Sequence, residues 1–303
     1  MIPERLGPIR EVFSGHARQM RENSLQARTI TPDAVYQEAN VSNRDLINLI
    51  LDDLALPGSG ILHPEQLDAL FEQSMNGCSA LLLMEHYSNF DLPCLFYLVN
   101  RTGRTELAES FIAVAGMKLN EESSFVNAFA EAYTRIVIYP SRSLRKISDP
   151  NELAVETKRS REINMAATRM MIRMKHKGRP LLVFPSGTRY REGDPDTKRG
   201  VKEIDSYIKS FDTMVMIGVS GNCLTINATA GGDMSLDIAT RDIVVLSVSQ
   251  PISCKEFRSR ARSTAAGNSD PKQHVADLVM KELETVHAEA AAHRSAVISN
   301  CRQ

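Results

Sequence analysis

Ala80-Leu81-Leu82-Leu83-Met84-Glu85-His86-Tyr87-Ser88-Asn89-Phe90-Asp91 is the stretch on which the reading of this chain turns. Its first five residues are apolar without alternation, too short a run for a helix, and bounded upstream by Asn76-Gly77. That pattern fits a strand buried on both faces. The strand ends in a histidine, and an aspartate follows five positions later, where the next helix would begin. From the first turn of that helix the carboxylate can fold back to bond one imidazole nitrogen, leaving the other as a general base.

Similar short apolar runs recur downstream at 111–115, 135–139, 180–184, 214–219 and 243–249, bounded by Gly, Pro and Asn and separated by helical stretches. Strands alternating with helices imply crossover connections, hence an α/β fold with a mixed, largely parallel sheet flanked by helices. The chain before Gly77 reads differently, as helices only. Thr31-Pro32-Asp33 is a helix start leading into 43–54, where Leu46, Ile47, Ile50, Leu51 and Leu54 keep helical spacing, and a further helix covers 64–75. The expected organisation is therefore a small N-terminal helical domain, 1–76, before an α/β catalytic domain, 77–303. A long helix starting at Ser269-Asp270-Pro271 closes the chain.

The 303 residues carry 36 Lys+Arg and 37 Asp+Glu, but the balance is local. Residues 135–202 hold 17 basic and 7 acidic side chains, an excess of ten positive charges, so an anionic partner is expected there. Sparse aromatics and the lack of familiar signatures argue against nucleic acid. No uncharged apolar stretch approaches the ~18 to 20 residues that span a bilayer, and the first residues resemble neither a signal nor a transit peptide, which points to a cytoplasmic protein. Five cysteines without a C-x-x-C pair argue for reduced thiols, and His176 with His86 shows no metal-ligand spacing. Met165, Met170, Met171 and Met174 fall at mixed helical positions and read as core filler.

Spacing alone does not make His86 and Asp91 a site, because the chain holds a second His-x4-Asp, His63 to Asp68, placed before Pro64 where a helix cap is the natural reading. Context comes from Leu181-Leu182-Val183-Phe184-Pro185-Ser186-Gly187-Thr188-Arg189-Tyr190-Arg191. Here a buried strand ends in a Pro-Ser-Gly turn whose amides could form an anion nest, and two arginines follow at alternate positions, suited to bidentate contacts with phosphate. A G-x-S-x-G nucleophile elbow is absent: Gly218-Val219-Ser220-Gly221 lacks the spacing.

The two motifs in this order resemble the glycerolipid acyltransferases. Pro185-Ser186-Gly187 followed by Arg189-Tyr190-Arg191 is similar to the soluble, plastid-type glycerol-3-phosphate 1-O-acyltransferases, where many membrane-bound lysophosphatidate acyltransferases have Glu at the position of Ser186. Val137-Ile138-Tyr139-Pro140-Ser141-Arg142-Ser143 resembles that family's phosphate-binding strand end, with Arg142 at one basic position. Ser143 stands where a second basic residue is expected, with Arg145 and Lys146 as substitutes. Glu156-Thr157-Lys158-Arg159 also resembles the family, as the start of the next helix.

The resemblance implies transfer of a fatty acyl group from acyl-carrier protein or an acyl-coenzyme A thioester to the sn-1 hydroxyl of glycerol 3-phosphate, with no cofactor. His86 would be the base, Asp91 its orienting partner, and Arg142, Arg189, Arg191, Ser186 and Gly187 the phosphate ligands; amides near Ser88 and Asn89 would stabilise the oxyanion. The basic helix 158–179 would meet an acidic carrier protein, coenzyme A phosphates or a peripheral membrane surface. Alternatives are lysophosphatidate as acceptor, and a non-catalytic module binding a phosphate ligand or carrier protein.

Overall fold

The computed structural model of the chain describes residues 2–24, 29–121, 124–145, 147–265 and 270–300. The first elements are β1 (Glu4–Pro8), α1 (Ile9–Val12), α2 (Ser14–Asn23), β2 (Tyr36–Gln37), α3 (Val41–Leu54), β3 (Gly60–Leu62) and α4 (Glu65–Met75). Next come β4 (Ala80–Met84), α5 (Asp91–Arg101), α6 (Thr105–Ser110), β5 (Ile112–Gly116), α7 (Lys118–Glu121), α8 (Ser124–Ala130), β6 (Arg135–Ile138) and α9 (Ser141–Leu144). After these the chain forms α10 (Pro150–Lys175), β7 (Leu181–Val183), α11 (Ile204–Ser210), β8 (Thr213–Ser220), β9 (Leu224–Thr225) and β10 (Ile238–Arg241). It ends with β11 (Val245–Val248), β12 (Ile252–Ser253), α12 (Cys254–Ser263) and α13 (Pro271–Asn300). No helix among the described residues is long and apolar enough to cross a membrane.

The main sheet has nine strands in the order β2-β6-β5-β7-β4-β8-β11-β3, with β12 also paired to β8. The five central strands from β6 to β8 run parallel; β2 is antiparallel to β6, β11 and β12 are antiparallel to β8, and β3 runs parallel to β11 at the far edge. The mixed, largely parallel α/β expectation holds, and each of the six apolar runs read as strands is one. Their unbroken apolar character has a direct cause. In β4, Leu82 and Met84 enter the core formed with α3, α4 and α5, while Leu81 and Leu83 enter the opposite core formed with α10 to α13. A strand covered on both faces has no position for a polar side chain.

Residues before Gly77 depart from the helix-only reading. β2 and β3 extend the main sheet, and β1 joins β10 and β9 in a separate three-stranded antiparallel sheet. Leu46, Ile50, Leu67 and Leu70 share one core with Leu82 and Val215. Strands of two to five residues carry too little periodicity to be told from links. Thr31-Pro32-Asp33 opens only a single 3-10 turn at Pro32–Ala34; the long helix starts at Val41, where the Asn40 side chain accepts the Asn43 amide at 3.2 Å. Likewise α10 begins at Pro150, ahead of the expected start, because the Asp149 carboxylate accepts the Glu152 amide at 2.8 Å. Ser269, read as part of the last helix start, lies outside the described residues.

The topology creates a cleft. β4 and β7 are neighbours, yet the chain leaving β4 crosses by α5 and α6 on one face toward β5, whereas the chain leaving β7 crosses by α11 on the other face toward β8. Connections that diverge from adjacent parallel strands leave a crevice at their carboxyl ends, the usual ligand position in open α/β sheets.

Helix α13 packs directly against β8 at Gly218. A Cβ there would stand 2.5 Å from the His287 nitrogen and 2.6 Å from the Val286 carbonyl carbon, both backbone atoms. Gly218→Ala is therefore expected to push α13 off β8 and lower stability by about 1–3 kcal/mol, the usual cost of overpacking. A urea unfolding midpoint unchanged from the parent would contradict that contact.

Candidate functional site

His86 lies two residues beyond β4, and Asp91 is the first residue of α5. His86 Nδ1 and Asp91 Oδ2 are 2.9 Å apart. An ionised carboxylate only accepts, so Nδ1 carries the proton and Nε2 keeps its lone pair. The same Asp91 oxygen accepts the amides of Tyr87 at 2.6 Å and Ser88 at 2.8 Å, so the carboxylate cannot rotate away without leaving two amides bare. The Phe184 ring stacks on the imidazole with centroids 4.0 Å apart and 18° between planes. Nε2 has no partner among the described residues, and His86 opens into a cavity of about 890 Å³. Of the two amides nominated for an oxyanion, that of Ser88 is occupied by Asp91, which leaves Asn89, a residue of the cavity wall.

The second motif sits beside the first. The Tyr190 amide donates to the His86 carbonyl at 2.8 Å, tying the loop after β7 to the loop after β4. The Pro-Ser-Gly turn has a different role from an anion nest at its glycine: the Gly187 amide donates to the Phe184 carbonyl at 2.9 Å and closes the turn. Gly187 holds φ +62°, which a side chain would strain, and lines the cavity. The Ser186 hydroxyl donates to the Thr188 carbonyl at 2.6 Å, and Ser186 is not part of the cavity wall. Ser186 thus shapes the turn.

Arg142, Arg189 and Arg191 all line the cavity that His86 enters. They differ in charge state as a ligand would meet it. Arg189, 7% exposed, is ion-paired with Asp237 in the interior, a partner that the motif does not announce. Burial pushes the Asp237 carboxyl upward, and the Arg189 guanidinium opposes that shift. Arg191 is exposed, its amide bound to the Thr197 hydroxyl at 2.8 Å. Arg142 is half-buried, on α9, with no hydrogen-bond or ion-pair partner among the described residues. Ser143 is also on the wall, Arg145 is exposed outside it, and Lys146 lies outside the described residues. The usable positive charge therefore comes chiefly from Arg142 and Arg191.

The second His-x4-Asp forms no dyad. His63 Nε2 pairs with Glu289 at 2.8 Å, and Asp68 pairs with Arg104 at 2.7 Å. His63 does not cap α4 through its side chain; its carbonyl accepts the Gln66 amide at 3.0 Å.

A further cluster lies behind the loop. Glu85, buried next to His86, accepts from the Tyr87 hydroxyl at 2.8 Å, from the Val219 amide at 2.9 Å, and from His287 Nδ1 of α13 at 2.9 Å. It joins the strand end, β8 and the last helix. Only the oddity of a charged residue ending an apolar strand hints at this in the sequence. No protein-family model and no curated protein matches the chain.

The hydrogen bond to Glu85 raises the His287 pKa above its ordinary 6.5, against burial and the Lys198 charge. A histidine raised on folding contributes stability that is fully present below its unfolded value and is lost as pH rises through the folded value. His287→Ala should thus lower the denaturation midpoint more at about pH 5.5 than at about pH 9.5. Equal losses at both pH values would remove the charged His287–Glu85 pair.

Proposed function

We propose that this chain is an acyltransferase that moves an acyl group from a thioester to the primary hydroxyl of glycerol 3-phosphate. One observation carries the reading: an imidazole with a free Nε2, oriented by a buried carboxylate, opens into the same cavity as Arg142, Arg189 and Arg191. A base and a group of cations in one cleft suit a small acceptor with a hydroxyl at one end and a phosphate at the other. The motif resemblance to soluble glycerol-3-phosphate 1-O-acyltransferases agrees with that chemistry.

In the proposed reaction, the acceptor oxygen attacks the thioester carbonyl carbon while its proton passes to His86 Nε2. The developing imidazolium is stabilised by Asp91 through Nδ1–H, and the Asn89 amide would donate to the oxyanion. Collapse breaks the carbon–sulfur bond, and the imidazolium returns the proton to the leaving thiolate. Proton and electron pairs balance without a covalent enzyme intermediate. Arg142 and Arg191 hold the phosphate, so that binding energy far from the reacting oxygen becomes orientation at it. Arg189, neutralised by Asp237, steadies the loop that carries Arg191.

The donor would be delivered past α10. Lys158, Arg161, Arg169 and Arg173 are exposed on this helix, together with Val155, Met165 and Ile172. Cations interleaved with apolar side chains suit an acidic acyl-carrier protein. If so, added salt should slow transfer from the carrier protein far more than transfer from acyl-coenzyme A, since screening acts on the exposed charges. Equal salt dependence would argue against carrier docking.

The decisive assay follows thioester consumption with and without glycerol 3-phosphate. Consumption should require the acceptor and vanish in His86→Ala. Arg142→Ala should raise the acceptor KM about tenfold or more with a smaller change in kcat, the loss of a charge-assisted hydrogen bond of ~1.5–3 kcal/mol. Acceptor-independent consumption, or full activity of His86→Ala, would overturn the proposal. Arg189→Ala is a poorer probe, because it would strand the buried Asp237 carboxylate, a defect worth about 3–5 kcal/mol of stability by itself.

A further inference from the structure

The cavity does not stop at the cleft. From His86 it runs along the α5–α8 face of β5, over Ala113 and Ala115, walled by Leu92, Val126 and Phe129. Ile112 and Val114 belong to the opposite core, so the two alanines face this lobe by strand alternation. Small residues on the strand leave room for a chain. At the inner end stands Arg135, whose backbone registers with Ala113 and whose side chain therefore shares that face. Gly116, at the upper end of β5, is three residues on, so the lobe descends about 10 Å at ~3.3 Å per residue.

Arg135 is an unusual terminus for an apolar lobe. It is 2% exposed, and one terminal nitrogen donates to the Ala130 carbonyl. Its Nε and Nη2 have no partner among the described residues. Burial pulls its pKa down to about 10, with the Glu131 carboxylate opposing, so the guanidinium stays protonated at neutral pH. Glu131 is itself fully buried and forms no ion pair with Arg135; its Oε1 accepts from the Ser24 hydroxyl at 2.8 Å and the Asn127 amide group at 2.7 Å. Two buried donors left bare destabilise the fold, a penalty that an acceptor atom arriving with a ligand would remove. Because Glu131 offsets the charge of Arg135 at longer range, a neutral oxygen suits the site better than a second carboxylate.

We propose that the inner end of this lobe is a subsite for a hydroxyl group at the far end of the acyl chain, read by Arg135 Nε and Nη2. The preferred donor is then an ω-hydroxyacyl thioester, in which a plain alkyl terminus of equal length leaves both donors unpaired. This inference rests on the acyl-transfer reading above. A site that hydrogen-bonds a substrate hydroxyl discriminates strongly against the analogue lacking it.

Binding can be read without turnover in His86→Ala. Titration calorimetry with 10-hydroxydecanoyl-coenzyme A and decanoyl-coenzyme A should give at least about tenfold tighter binding of the hydroxylated donor, and R135M in the same background should abolish or reverse that ratio. R135K, which keeps a donor, should retain part of it and serves if R135M does not fold. Equal affinities, or a ratio indifferent to R135M and R135K, would overturn the subsite. Turnover of the parent with both donors separates the two ideas. Acceptor-dependent transfer without preference for the hydroxylated chain removes the subsite alone; hydroxyl-selective binding without transfer removes the acyltransferase reading alone.

Discussion

The arrangement of the cleft depends on one carboxylate oxygen. Asp91 Oδ2 accepts from the His86 imidazole and from the amides of Tyr87 and Ser88, so the segment from the end of β4 to the start of α5 is wound around a single acceptor. Each donor holds the others in place. Rotation of the carboxylate would bare two amides as well as the imidazole, at about 1–3 kcal/mol for each unsatisfied group. A sharp turn between a buried strand and a helix thereby becomes rigid, and a histidine on that turn acquires one tautomer and one direction.

The surrounding fold then has two tasks, to keep that turn at the carboxyl end of the central strands and to bring cations to it. Divergence of the connections after β4 and β7 opens the crevice, and the Tyr190–His86 backbone bond keeps its two sides together. From behind, Glu85 links the turn to β8 and α13, and the absence of a side chain at Gly218 lets α13 come close enough for His287 to reach it. Charge is distributed unevenly: the deepest arginine of the loop is neutralised by Asp237, and the two nearer the mouth stay available.

Sequence reading recovered the central sheet because its strands are covered on both faces, which leaves continuous apolar runs such as 80–84 and 214–219. It recovered the contact between His86 and Asp91 because the carboxylate lies within one turn of the imidazole, so local chain geometry suffices. What it missed depends on distant partners. Asp237 is 48 positions from Arg189, and His287 is 202 positions from Glu85, and no local pattern joins either pair. Ser186 and the Gly187 amide look like ligand groups in a motif, yet the turn that displays them uses both to close itself. The short strands before residue 77 pair with elements far along the chain, and runs of two to five residues carry too little period of their own.

The central claim is spatial: one small phosphorylated acceptor lies between the His86 imidazole and the guanidiniums of Arg142 and Arg191. The most direct measurement is a nuclear magnetic resonance titration of the histidine-labelled protein with glycerol 3-phosphate, the His86 signal being assigned by its loss in the alanine variant. The account predicts that His86 alone among the histidines shifts, that the shift saturates, and that it weakens when Arg142 is replaced. A His86 signal unmoved at an acceptor concentration that saturates the protein would contradict it.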